Sequence, residues 1–183
     1  MKLIILDRDG VINEDSDQYI KSPQEWQPIP GSLEAIARLH REGYKVVVAS
    51  NQSGVARGLF TLDILHDIHV KMISEVQRMG GEIDSIFFCP HGPDDKCLCR
   101  KPAPGLFEEI AERVQSSLSG IYAVGDSERD LIAARAVFAA PVLVLTGKGK
   151  KTQLNLDDDF RDTPVFDDLR AFTDALLYDK KIA

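Results

Sequence analysis

The sequence predicts an α/β fold with a mainly parallel sheet, and two patterns carry that expectation. Short apolar runs rich in β-branched residues, the size of buried strands, alternate with stretches whose apolar residues recur at helical spacing. Strand, helix and strand in succession imply right-handed parallel crossovers. A third observation marks the working edge. Several runs end directly in Asp, Ser or Gly, and open α/β sheets bind ligands beyond the carboxyl ends of their strands.

The first run, residues 3–6, leads straight into Asp7-Arg8-Asp9-Gly10. Carboxylates two residues apart share a face if extension continues, and Gly10 lets the backbone turn. Taken alone, the stretch also fits a polar turn, where Asp and Gly are common. Residues 14–30 have no clean period and read as an ordered loop or small flap over this strand's tip. Pro30-Gly31-Ser32 opens a helix with Leu33, Ile36, Ala37 and Leu39 on one face, and Gly43 ends it. Residues 45–49 form the second strand. Ser50-Asn51-Gln52-Ser53-Gly54 follows at once, and a hydroxyl, an amide and a glycine at a strand tip suit an anion site. Arg57 comes soon after. Residues 61–79 predict a helix with Leu65, Ile68, Met72, Val76 and Met79 as its core stripe, and with His66 and His69 facing solvent.

Gly80-Gly81 breaks that helix, and residues 85–88 make the third strand. The chain's three cysteines follow within one segment, as Cys89-Pro90-His91 and Cys97-Leu98-Cys99. An odd, clustered count is poor for a disulfide framework and better for metal. Cys89, His91, Cys97 and Cys99 supply a complete tetrahedral set, so Zn2+ here is expected to be structural, stiffening the loop and positioning Arg100 and Lys101. Chance clustering of reduced surface cysteines is the alternative. Pro104 opens a helix carrying Leu106, Phe107, Ile110, Ala111 and Val114. Residues 121–124 form a fourth strand ending in Gly125-Asp126, and Asp130 falls in the first turn of the next helix, which carries Leu131, Ala134 and Val137. Residues 141–145 make a fifth strand, 146–162 a loop, 165–166 a short edge strand and 167–177 a last helix. No repeat or boundary interrupts the 183 residues, so a single domain spanning 1–183 is expected.

A net charge of -7 argues against a general nucleic-acid or anionic-membrane surface, although a few local cations still suffice to hold a small phosphorylated substrate. No apolar stretch reaches the length of a membrane span and no signal peptide is legible, which makes the cytoplasm the expected compartment.

In a parallel sheet, Asp7 and Asp9, Ser50, Lys101, and Asp126 with Asp130 converge on one edge. Together they offer carboxylates for a hard cation such as Mg2+, a nucleophile candidate, and donors for a phosphoryl group. In this order the residues resemble the motifs of the haloacid dehalogenase superfamily of phosphatases: Asp7-Arg8-Asp9-Gly10, then Ser50, then Lys101, then Gly125-Asp126 with Asp130. The likeness covers most of the chain. Asn51-Gln52-Ser53-Gly54-Val55-Ala56-Arg57-Gly58 and the Cys-x-His…Cys-x-Cys-Arg-Lys-Pro loop resemble the branch that acts on heptose 1,7-bisphosphate, with histidinol-phosphate phosphatases as relatives.

The resemblance implies a Rossmann-like three-layer sandwich without a large cap domain and, with aromatic content of only 7%, a monomer. It implies that Asp7 attacks phosphorus to form an aspartyl-phosphate and that Asp9 is the general acid and base. Ser50 and Lys101 would hold the transferring phosphoryl oxygens. Mg2+ would be held by Asp7, Asp126 and the main-chain carbonyl of Asp9, with Asp130 behind them. Asn51, Arg57 and Arg100 would bind the remainder of a small phosphorylated sugar. Histidinol phosphate or another small sugar phosphate is the alternative substrate, and a phosphate-binding protein without turnover is the alternative class. That last class has no use for Asp9. The sequence departs from the family pattern twice: Ser127 follows Asp126 where a lysine is frequent, and the segment between His91 and Cys97 is short. Both bear on the substrate rim more than on the chemistry.

Overall fold

The computed structural model describes residues 1–179. Its sheet has six strands: β1 (Leu3–Leu6), β2 (Lys45–Asn51), β3 (Ser85–Cys89), β4 (Tyr122–Gly125), β5 (Ala140–Val144) and β6 (Val165–Phe166). Their order is β3-β2-β1-β4-β5-β6, and every pairing is parallel. Between them lie α1 (Ser32–Arg41), α2 (Leu62–Arg78), α3 (Gly105–Val114), α4 (Glu128–Ala136), α5 (Gly149–Leu154) and α6 (Leu169–Asp174).

Alternation along the strands builds the layers. Ile4, Leu6, Val46 and Val48 face one side, where they meet Ile36 and Leu39 of α1, Ile68 and Met72 of α2, and Phe172 of α6. Leu3, Ile5, Val47 and Ala49 face the other and meet Leu106, Phe107 and Ile110 of α3 and Ala133 and Ala134 of α4. A fully buried strand needs apolar residues on both faces, and β1 has them.

The chain winds from β1 out to β3 and then crosses back to place β4 on the other flank of β1. With right-handed crossovers, this reversal puts α1 and α2 on one face and α3 and α4 on the other. It also opens a crevice at the carboxyl ends of β1 and β4, the topological switch point. Asp7 and Asp126 are the residues that leave those two strands.

Several elements differ from expectation. β2 runs two residues further than the apolar pattern, so Ser50 and Asn51 lie within it. His69 is buried rather than solvent-facing, at 7% exposure, while Met79 is 40% exposed and lies outside the core stripe. Residues 149–154 are helical although their Gly-Lys-Lys-Thr-Gln-Leu sequence lacks an apolar period. Thr152 Oγ1 donates to the Asp126 carbonyl at 2.8 Å, and Gly149 packs where a Cβ would lie 1.7 Å from the Val144 carbonyl oxygen. Tertiary contacts hold this helix, not propensity. The last helix covers Leu169–Asp174 and continues as a wider turn over Ala175–Asp179. Among the described residues no helix is long and apolar enough to cross a membrane.

Candidate active site

A cleft of about 210 Å³ opens at the carboxyl edge of the sheet, over Asp7, Asp9 and Ser50. The 14–30 segment covers one side. Trp26, Ile20 and Ile29 bury it against the core, and Lys71 Nζ donates to the carbonyls of Pro23 and Trp26 at 2.8 and 2.9 Å. Asp15, Ser16, Asp17 and Tyr19 from this flap line the cleft. Arg57 and Arg100 line it as well, the first beside the Tyr19 ring at 6.0 Å and the second donating to the His91 carbonyl at 3.3 Å.

Lys101 is the cation at the base. Its Nζ lies 3.1 Å from Asp7 Oδ1 and 2.6 Å from Asp130 Oδ1, and donates to the Ala49 carbonyl at 2.7 Å. Burial works against its charge, but Asp130 and Asp7 hold its pKa above the ordinary lysine value. Asn51 fixes the residue from behind: its Nδ2 donates to the Lys101 carbonyl at 2.9 Å and its Oδ1 accepts from the Lys101 N–H at 3.0 Å. Asn51 thus positions Lys101 while also lining the cleft.

The four carboxylates fall into two pairs. Burial, with Asp130 and Asp9 nearby and Lys101 opposing, pushes Asp7 up to about 6, and burial with the charges of Asp130 and Asp7 pushes Asp126 up to about 8. Asp9 and Asp130 are held below the usual carboxylate value despite burial, Asp9 mainly by Arg8 and Asp130 mainly by Lys101. Asp130 also accepts from the Ser127 N–H at 3.0 Å and from its hydroxyl, closing the first turn of α4. Ser127, where the family pattern often has lysine, therefore anchors Asp130. Cations reach the cleft from Arg129 and Lys148 instead.

Two glycines allow this crowding. Gly10 adopts φ +84°, and a Cβ there would lie 2.1 Å from Asp126 Oδ2; at Gly147 it would lie 2.2 Å from the same atom. The Lys148 N–H donates to Asp126 Oδ2 at 2.7 Å, and Lys148 Nζ pairs with Asp15 of the flap at 2.9 Å.

Asp7, Asp126 and Asp130 each offer an oxygen within 4.8 Å of the others. Three buried carboxylates this close, two of them with raised pKa values, form a hard oxygen set that fits Mg2+. The second cluster is soft. Cys89 Sγ lies 3.6 Å from Cys97 Sγ and 3.1 Å from Cys99 Sγ, Cys97 lies 3.6 Å from Cys99, and His91 Nδ1 lies 3.5 Å from Cys89 and 3.3 Å from Cys99. Bonds of about 2.3 Å to sulfur and about 2.0–2.1 Å to nitrogen give tetrahedral edges close to these lengths, so the set fits zinc. The short turn at Pro93–Asp95 between its halves is closed by the Gly92 N–H, which donates to Asp95 Oδ2 at 2.7 Å.

Arg8, Gln52, His69, Arg129 and Lys148 join the site without having been singled out for it in the sequence. Arg8 is the least expected, because a charge between two aspartates reads as solvated and this one is 0% exposed. The apolar neighbours of His69 at helical spacing were the available signal for its burial.

An aspartate-rich strand tip with a buried lysine on this sheet defines a hydrolase of the haloacid dehalogenase type, and the family model described as "HAD-hyrolase-like" matches residues 98–172. A D-glycero-beta-D-manno-heptose-1,7-bisphosphate 7-phosphatase of Bordetella bronchiseptica is 55% identical over 179 residues, covering 97% of this chain and 98% of the relative. The Pseudomonas putida protein of that name is 53% identical over 178 residues, covering 97% and 100%. The crystal structure of D,D-heptose 1,7-bisphosphate phosphatase from B. bronchiseptica, complexed with magnesium and phosphate, matches with TM-score 0.93 at 54% identity, covering 98% of this chain and 99% of that one. The chain belongs to the family of D-glycero-beta-D-manno-heptose-1,7-bisphosphate 7-phosphatases, phosphoric monoester hydrolases of the haloacid dehalogenase superfamily.

The raised carboxylates set a pH dependence. Groups whose folded pKa exceeds the unfolded value bind protons more tightly when folded, so the stability they contribute is present at low pH and lost as pH rises through the folded pKa. Without added Mg2+, the thermal midpoint is therefore expected to fall as pH rises through about 6 and about 8. Asp126→Asn should remove the upper part of that fall. A midpoint that stays flat or rises across the window contradicts the assignment.

Proposed function

We propose that this chain is a Mg2+-dependent phosphatase that removes the 7-phosphate of D-glycero-D-manno-heptose 1,7-bisphosphate. The observation that carries the reading is the Asp7 carboxylate at the switch point, 3.1 Å from the Lys101 ammonium and open to a cleft that Arg57 and Arg100 line. The relatives' names support the substrate, and the magnesium and phosphate in the solved relative support the cation.

Asp7 attacks phosphorus, forming the Asp7 Oδ–P bond as the P–O bond to the sugar breaks. Lys101 and the Ser50 hydroxyl hold phosphoryl oxygens through the transfer, where neutralising charge is the main catalytic task. Asp9 gives a proton to the departing sugar oxygen and then takes one from the water that hydrolyses the aspartyl-phosphate. Its resting state is the carboxylate; the dianion arriving beside it raises its proton affinity, so that it takes a proton from solvent before the transfer. Asp7, Asp126 and the Asp9 main-chain carbonyl would hold Mg2+, which supplies positive charge against the phosphate and the carboxylates when bound. Asp130 is engaged by Lys101 and Ser127, which supports a place for it behind the metal.

Arg57 and Arg100 offer forked donors to the phosphate that stays on the sugar, and Asn51 lines the same cleft as a further substrate contact. Cys89, His91, Cys97 and Cys99 would hold a structural Zn2+ in the loop that delivers Arg100 and Lys101. We read the protein as one domain and a monomer. Its clustered, unpaired cysteines support a reducing compartment, the cytoplasm.

A panel of sugar phosphates and histidinol phosphate, assayed for phosphate release with Mg2+, tests the activity. Heptose 1,7-bisphosphate should be the best substrate, and Asp7→Asn should lower kcat by at least about 10³-fold, because it removes the nucleophile. Retained turnover in Asp7→Asn would sink the covalent route, and a preference for histidinol phosphate would sink the substrate assignment. Metal analysis should find about one zinc per chain, as a closed Cys₃His set requires, and Cys97→Ser should lose it together with thermal stability. Zinc-free wild-type protein with a normal melt would refute the structural metal.

A further inference from the structure

Beneath Asp9 lies a polar network that the reaction scheme does not use. Arg8 is fully buried. Its Nη2 donates to Asp9 Oδ1 at 2.9 Å and Oδ2 at 3.0 Å, and its Nε donates to Oδ1 at 3.1 Å. The same Nη2 donates to Gln52 Oε1 at 3.1 Å, and Nη1 lies 3.4 Å from His69 Nε2. Gln52, itself 4% exposed, donates from Nε2 to Asp9 Oδ2 at 2.8 Å and to Ser50 Oγ at 2.8 Å.

The chemistry of these groups leaves a single consistent orientation. Guanidinium donates only and carboxylate accepts only. Gln52 must therefore turn Oε1 to Arg8 and its amide nitrogen to Asp9 and Ser50, and no flipped amide satisfies both neighbours. His69 must offer Arg8 a lone pair, and burial against that cation keeps it neutral, with its pKa down at about 3. Ser50 Oγ accepts the Gln52 N–H, so its single proton is free to point away, into the cleft that Ser50 lines. Asp9 is gripped on both oxygens by Arg8, and Asn13 Nδ2 adds a bond to Oδ1 at 2.9 Å.

We propose that Gln52, oriented by the buried Arg8, is a positioning residue: its amide sets the Ser50 hydroxyl as a donor to the transferring phosphoryl group and holds the Asp9 carboxylate toward the leaving oxygen. One amide thus couples the group that binds phosphate to the group that moves the proton. This rests on the phosphatase reading above.

The test compares kcat/KM of the full chain and of Gln52→Met for a sugar phosphate and for p-nitrophenyl phosphate, both with Mg2+. This ratio reports the first phosphoryl transfer. The sugar alkoxide needs a proton on leaving and nitrophenolate does not, so a misplaced Asp9 harms only the former. Gln52→Met should lower kcat/KM by about 100-fold for the sugar phosphate and by about 5-fold for the aryl phosphate, the smaller loss passing through Ser50. In a Ser50→Ala background the aryl-phosphate loss should vanish. Gln52→Glu keeps the shape and turns an acceptor toward Asp9. It should show the same split, and it carries the comparison if Gln52→Met does not fold. Equal losses on both substrates, an aryl loss that persists without the Ser50 hydroxyl, or wild-type kinetics in both variants would overturn the proposal. Failure of the underlying reading shows elsewhere, as absent wild-type turnover or an active Asp7→Asn.

Discussion

The site depends on one buried ammonium. Lys101 Nζ touches the tip of β1 through Asp7, the end of β2 through the Ala49 carbonyl, and the first turn of α4 through Asp130. Remove it and Asp7 and Asp130 lose the cation in direct contact with both, leaving Arg129 as the remaining charge that opposes them. Leaving a buried charge unpartnered costs about 3–5 kcal/mol, more than most single contacts contribute. The position of Lys101 is correspondingly fixed. Asn51 engages its main chain on both sides, and the Cys₃His cluster ends two residues before it. A loop with little apolar content can deliver a lysine reliably only if something else stiffens it, which gives that cluster a mechanical purpose.

The same geometry divides the labour among four carboxylates. Asp7 and Asp126 occupy the crowded, desolvated centre and titrate high; Asp9 and Asp130 sit against Arg8 and Lys101 and titrate low. Environments that drive like groups apart are how a single acid type supplies different roles. The high pair suits cation binding and attack on phosphorus. Of the low pair, Asp9 faces the cleft and Asp130 supports the lysine.

Much of this was legible in the sequence because its signals are local. Each strand is an apolar run, and Asp7, Ser50 and Asp126 follow directly on such runs, so placing the strand places the residue. Cys89, His91, Cys97 and Cys99 are close enough in sequence to be recognised as one cluster. Arg8, Gln52 and His69 were not legible, since their partners come from β1, the turn after β2 and the middle of α2, and no periodicity reports a polar network that crosses elements. Helix α5 escaped for a related reason: hydrogen bonds to Asp126 and a glycine's close approach hold it, not an apolar face. Asn51, expected at the substrate, lines the cleft and also holds the Lys101 main chain. Side-chain identity marks a polar residue at a strand tip without telling which neighbour it serves.

The most direct measurement is to trap the intermediate. Turnover of a sugar phosphate is quenched in acid, the protein is reduced with borohydride, and the peptide containing residues 7 and 9 is sequenced by mass spectrometry. Attack by Asp7 predicts that reduction converts the side chain at position 7, and only that one, to an alcohol. An unreduced peptide during active turnover, or reduction at Asp9 instead, would contradict the account.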